Sequence, residues 1–164
     1  MSRYIRDMEL QLPENDVQEI IDSFLENGGF YKGVWKGKPC YISDYGDFGN
    51  LKEMYFFDYT YVNGKLHFEA WVKDGKTNEI GLTGAYNFMM KQPYTTQVAS
   101  LENNLIAKLP MGSEQRIKAE SGSKLIKNNN RKMDKGRQVV YFCSIIALAI
   151  ALLNVMNRLF GFLQ

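Results

Sequence analysis

From Gln138 to Asn157 the chain runs 20 residues without a charged side chain, and Arg137 and Arg158 bracket the run. Wound as a helix, that length covers about 30 Å, the thickness of a bilayer's hydrocarbon core. Ten of the twenty residues are Val, Ile, Leu or Phe, and apolar side chains go all the way round the helix, leaving no face for water. Each of those ten favours insertion by roughly 0.3 to 0.6 kcal/mol, and Ser144 and Asn154 take back only part of the sum. Burying such a helix in a soluble core requires a larger domain than the rest of the chain supplies. The sequence therefore predicts a transmembrane helix over 138–157.

The flanks predict its orientation. Arg131, Lys132, Lys135 and Arg137 precede the run with only Asp134 opposing them, and Arg158 alone follows it. The positive-inside rule then places the N-terminal side in the cytoplasm. The opening residues lead into an amphipathic segment, not an apolar leader. The expectation is a tail-anchored, single-pass protein of the cell membrane with a cytoplasmic N-terminal domain and a short far-side tail at 158–164. The four membrane-proximal basic residues attract anionic head groups by about 1 kcal/mol each, so membrane lipid is an expected partner. Two cysteines, Cys40 and Cys143, fit a reducing compartment and are too few for a disulfide framework or a cysteine metal site.

Charge divides what precedes the run. Residues 1–110 hold 11 basic and 15 acidic side chains, whereas 111–137 hold 8 basic and 3 acidic. The second stretch is polar and poor in apolar residues, and reads as a basic linker with a frayed helical turn around 115–119. The acidic character of 1–110 and the lack of a recognition motif argue against nucleic acid as a partner.

Within 1–110, Met8, Leu10 and Leu12 alternate with Asp7, Glu9 and Gln11, a strand ended by Pro13. Val17, Ile20, Ile21, Phe24 and Leu25 fall at helical spacing, with Asn15 and Gln18 as a capping box and Asn27-Gly28-Gly29 as the stop. Short strands are expected at 30–35 and 39–45 around a Lys36-Gly37-Lys38 turn. A further strand, 53–62, leads into Asn63-Gly64, a strong type I′ hairpin signal, and returns as 65–73. Leu66, Phe68, Ala70 and Val72 share one face of the returning strand; His67, Glu69 and Trp71 share the other. A short strand or loop at 80–84 precedes a helix from about Pro93 to Lys108. This order predicts an α+β fold, an antiparallel sheet with two helices packed on one face, followed by the C-terminal transmembrane helix.

The block from Asn63 to Lys73, followed by Glu79-Ile-Gly-Leu-Thr-Gly84, Phe88 and Lys91, resembles a domain family of uncharacterised small bacterial proteins. In that family the N-terminal α+β domain is often joined to a membrane helix or a zinc ribbon. The resemblance runs from Ser2 to about Leu109 and implies a domain boundary near Pro110. It implies no activity, and the cysteines of a zinc ribbon are missing.

Candidate chemistry is sparse. Asp47-Phe48-Gly49 spells a kinase magnesium motif without the other kinase elements. Asp44, Asp47 and Asn50 in a glycine-rich turn lack the ligand spacing of a calcium loop. His67 and Glu69 stand two apart on one strand face, a spacing at which one tunes the other's protonation, although acid–base work needs a pocket as well. Tyr86, Phe88, Met89 and Met90 form a local apolar patch. His67, Glu69, Trp71, Tyr86 and Phe88 are accordingly the candidate binding surface. No catalytic set, cofactor or metal site emerges.

These observations point to a membrane-anchored cytoplasmic binding or scaffolding module that engages a protein partner or itself, and not to an enzyme. The alternative is a small-ligand or lipid-binding domain of helix-grip type, its cavity lined by residues such as Phe56, Phe68, Trp71 and Tyr94.

Overall fold

Tyr4, Arg6 and Met8 point into the protein and Ile5, Asp7 and Glu9 point out of it, the period-two alternation of β1 (Tyr4–Glu9). The structure, a computed structural model, describes residues 3–48, 51–75, 77–84 and 88–125, and the side chains described exclude those of 45–48, 51–53, 74 and 88–90. The run 138–157, the tail 158–164 and Arg131, Lys132, Lys135 and Arg137 lie outside the described residues. Among the described residues no helix is long and apolar enough to cross a membrane.

β1 ends before Leu12. Leu10 N and Gln11 N both donate to Gly64 O, and Gln11 turns with φ 51°. Helix α1 (Glu14–Asn27) follows Pro13, whose fixed φ suits the position before a helix. The expected capping box does not form. No side chain caps α1, and the Gln18 amide donates instead to Asp22 Oδ1 and Tyr59 OH. Val17, Ile21 and Leu25 are buried along one face, as their spacing predicts.

Four successive antiparallel hairpins build most of the sheet. Strands β2 (Tyr31–Trp35) and β3 (Lys38–Phe48) meet at Lys36-Gly37, both at positive φ. β4 (Leu51–Val62) and β5 (Lys65–Asp74) meet at Asn63 (φ 53°) and Gly64 (φ 75°), the conformation that a type I′ turn needs and that Asn-Gly favours. The stretch expected to be a turn around Asp44–Asn50 is strand as far as Phe48, with Asp47 opposite Lys52 and a register shift between Asp44 and Asp47. The order is β1-β5-β4-β3-β2, antiparallel throughout. β6 (Asn78–Gly81) also pairs with β5, so the free edge of β5 is shared: β1 takes Lys65–Ala70 and β6 takes Trp71–Asp74.

Helix α2 (Phe88–Ala107) begins five residues before Pro93, which sits inside it. The ring removes one early hydrogen bond, a loss tolerated near a helix start better than in its middle. Its Tyr94, Val98, Leu101 and Leu105 pack with the buried face of α1 onto one face of the sheet, against Tyr55, Phe57, Leu66, Phe68, Ala70 and Val72. Tyr94 is fully buried, stacks on Tyr55 with ring centroids 4.6 Å apart and donates to Phe56 O at 2.7 Å. Phe68 and Tyr94 have no exposed surface in this core, and Phe56 and Trp71 pack on the opposite face of the sheet.

The chain after Pro110 departs from the linker expectation. Helix α3 (Glu114–Gly122) starts at Ser113, whose hydroxyl accepts from Arg116 N at 3.2 Å, and Ala119, Ser123 and Leu125 are buried. The described part of the compact unit thus extends to Leu125. A buried carboxylate explains the docking. Glu102 on α2 has no exposed surface; it accepts from Tyr4 OH at 2.6 Å, from Arg6 Nε at 3.1 Å and from the Ser123 hydroxyl. Arg6 also donates to Ala119 O. A charged pair in the interior is tolerated only when its hydrogen-bonding capacity is met, and here β1, α2 and the end of α3 meet it together.

Replacing Arg6 with Met leaves Glu102 buried without its cation. The expected loss in urea unfolding is about 3–5 kcal/mol, the range for breaking one side of a buried pair. Gly122→Ala places a Cβ against Arg6 Nη1 and is expected to raise hydrogen exchange in α3 before the rest of the domain, a substitution effect that an undocked linker would not show.

Candidate functional site

The sheet face away from α1 and α2 carries the predicted His67, Glu69 and Trp71 in a row along β5. Asp7 lies directly opposite His67 in the register, and its Oδ1 stands 2.7 Å from His67 Nδ1. Glu69 Oε1 approaches His67 Nε2 at 3.6 Å, and Glu69 Oε2 accepts from Arg3 Nη1 at 2.7 Å. Arg3 then forks onto Glu79 of β6 with bonds of 2.9 and 3.0 Å, and Lys36 Nζ reaches the same carboxylate at 3.1 Å. Charges of opposite sign thus alternate across the face: Asp7, His67, Glu69, Arg3, Glu79, Lys36.

Beneath this chain lies a second small core. Phe56 and Trp71 stack with planes 8° apart, Trp35 packs on Phe56 at 4.6 Å between centroids, and the Arg3 guanidinium sits 3.7 Å over the Trp71 ring. Cys40 and Ile42 complete the cluster. Trp71 is therefore 1% exposed, packing under the surface that the sequence expected it to form. Gly33 leaves the space that Ile42 fills, since a Cβ there would lie 2.5 Å from Ile42 Cδ1.

One contact reveals the shape of the sheet. Trp35 Nε1 donates to Glu79 Oε1 at 2.8 Å, although β2 and β6 lie four strand steps apart, roughly 19 Å in a flat sheet. The sheet curls over this face, and Glu79 closes the corner by holding Arg3, Trp35 and Lys36 at once. It also spans the seam where β1 gives way to β6 along β5. Arg3, Trp35 and Glu79 were not singled out in the sequence. Their separations of 44 and 76 residues leave no local pattern to read.

The electrostatics follow from these contacts. The bond to Asp7, helped by Glu69, raises the His67 imidazolium above its ordinary pKa. The Arg3 bonds, with Trp35 and Lys36, hold the Glu79 carboxyl down to about 2. Burial pushes the Cys40 thiol up, the opposite of what activates a nucleophile. Burial likewise lowers the Lys91 ammonium, which donates to Gly81 O and Thr83 O and ties α2 to the end of β6. A depression of about 850 Å³ runs from Asp7 and His67 past the Asn63-Gly64 turn to Gln115 and Lys118. It brings an acid–base pair near solvent with Thr60 as its only hydroxyl group among the lining residues. Among the described residues no three His, Cys, Asp or Glu side chains gather as a metal-holding group. Tyr86, Asn50 and the side chains of Phe88 and Asp47 lie outside what is described.

A second concavity, of about 580 Å³, lies between α1 and α2. Ile20, Phe24 and Leu101 form its apolar part, and Ser23, Ser100 and Asn104 are among its polar walls. Helical spacing alone assigns Ile20 and Phe24 to the buried stripe of α1, but both are only half-buried, and this leaves the concavity without a signature in the sequence. No family model, curated protein or solved structure matches the chain, so the resemblance to the small bacterial domain family transfers no residue role.

Because His67 is the sole histidine, its ring proton titrates as one resolved NMR signal. Its pKa is expected above the ordinary 6.5, and Asp7→Asn is expected to bring it back down. The stabilisation from this contact is fully present below 6.5 and fades as pH rises through the folded pKa. Glu79 works in the other sense. Its contribution is complete above the ordinary 4.5 and is lost as pH falls toward about 2. Urea midpoints measured between those two values should decline, and Glu79→Gln should flatten that decline.

Proposed function

We propose that the chain is a membrane-anchored binding module: an α+β domain held at the cytoplasmic face by a single membrane helix at 138–157, where it engages a protein partner. The observation that carries the reading is the contrast between its closed interior and its open groove. Tyr94, Phe57 and Phe68 lie between helices and sheet without exposed surface, which supports a packed interior over a ligand chamber. The concavity between α1 and α2 faces outward and joins apolar residues to small polar ones, the mixture typical of contacts between proteins. The charged chain on the sheet face is occupied with its own partners, which favours the helical side for recognition. The uncharged run and its basic flank, Arg131, Lys132, Lys135 and Arg137, support the anchor and its lipid contact.

The anchor is tested by fractionating cells that express the intact chain. It is expected to stay with the membrane pellet through high salt and alkaline carbonate and to enter solution only with detergent. Release by salt alone would remove the membrane placement. Placing Arg at Ile146 and Leu148, near the centre of the run, is expected to shift the chain to the soluble fraction, since each buried cation costs about 2.5–3.5 kcal/mol on the insertion scale.

A further inference from the structure

Helix α2 turns an uncharged stripe to solvent. Its 20 residues include two charged side chains, Lys91 and Glu102, and both are buried. Thr96, Ser100, Asn103, Asn104 and Ala107 are the exposed residues from Thr96 onward. The outer face of a helix is ordinarily where charges collect, and their depletion marks the centre of an interface.

Helix α1 has the opposite character. Glu14, Asp16, Glu19, Asp22 and Glu26 give it five carboxylates, and it has no basic residue. Among the described residues none of the five enters an ion pair. The groove of about 580 Å³ lies between this acidic ridge and the neutral stripe, with Lys108 just past α2 at its end, and Glu19 and Ser23 belong to both its wall and the ridge. Its walls carry Ser23, Ser100 and Ala107, small residues that let a third helix approach to the 8–10 Å usual between packed axes. Gln97 also lines it.

We propose that the α1–α2 groove docks an amphipathic helix of a partner protein, its apolar side on Ile20, Phe24 and Leu101 and its Lys and Arg side chains along the carboxylates of α1. The inference rests on the binding-module reading and names the partner's chemistry. Anionic lipid and nucleic acid are disfavoured because the ridge repels phosphate. A second copy docked helix to helix would bring two acidic ridges together without a base on α1 to answer them.

The test uses the full chain in nanodiscs of zwitterionic lipid, which do not themselves attract a basic peptide. The probes are a fluorescent helix of about five turns with Leu and Ala on one side and Lys on the other, a counterpart with Glu for Lys, and a scrambled sequence of the same composition. The Lys helix is expected to bind saturably by anisotropy, more weakly as salt rises, and better than either control. The triple change Glu19→Lys, Asp22→Lys, Glu26→Lys and the single change Ser100→Arg are each expected to weaken it at least tenfold. All four positions are exposed, and unchanged thermal unfolding verifies that the variants fold. Absence of saturable binding up to about 1 mM, equal binding of the Glu or scrambled helix, or indifference to both variants overturns the proposal. Concentration-dependent self-association that Ser100→Arg abolishes assigns the groove to a second copy and overturns it as well. Should the chain stay outside the nanodisc, the anchor reading fails separately, and the same titration in buffer still decides the groove.

Discussion

A carboxylate with no exposed surface sets the terms for this domain. Glu102 lies on α2 between the sheet and α3, where an ion is far from water's stabilisation. It remains compatible with folding because Tyr4 and Arg6 of β1 and Ser123 beyond α3 all donate to it. The N-terminal strand, the long helix and the segment leading out of the domain are therefore one cooperative unit. Removing any of the three leaves a charged or polar group in the interior without a partner. The same interaction explains why α3 docks although its sequence is mostly polar: Arg6 reaches the Ala119 carbonyl, and only Ala119 and Leu125 contribute apolar burial on that segment.

On the other side of the sheet an ion cluster plays a different part. Glu79 gathers Arg3, Trp35 and Lys36 at the edge of an aromatic stack, with side chains partly open to solvent. Exposed pairs of this kind contribute little individually, but the geometry fixes a curl that brings opposite ends of the strand order together. The curl buries Phe56 and Trp71 without a covering helix. The chain of charges from Asp7 to Lys36 is thus chiefly a seam across strands, and the helical side, with its neutral α2 stripe beside an acidic α1, is the face left for recognition.

Several residues were legible in one dimension. The alternation in β5 separates Leu66, Phe68, Ala70 and Val72 from His67, Glu69 and Trp71, and the fold keeps both sets on their expected faces. Asn63-Gly64 forms the turn its composition calls for. Others were misread for identifiable reasons. Gln18 has the spacing of a capping residue, but Tyr59 and Asp22 compete successfully for its amide. Trp71 was placed at a surface because alternation tells which side a residue faces and not what covers that side. Residues 114–125 looked like linker because their attachment depends on Arg6 and Glu102, outside that segment.

The order of elements from β1 to β5, the hairpin at Asn63-Gly64 and the division of β5 into two faces were determined by the sequence, since each depends on residues close together in the chain. The curl of the sheet, the docking of α3 and the groove beside α1 were decided only in three dimensions. Each arises where side chains remote in sequence come together: Trp35 bonded to Glu79, Arg6 to Glu102, and Phe24 and Leu101 lining one groove. Local propensity is a short-range property of the backbone. Burial of a charge or an aromatic ring depends on every element that closes over it, and no single segment carries that information.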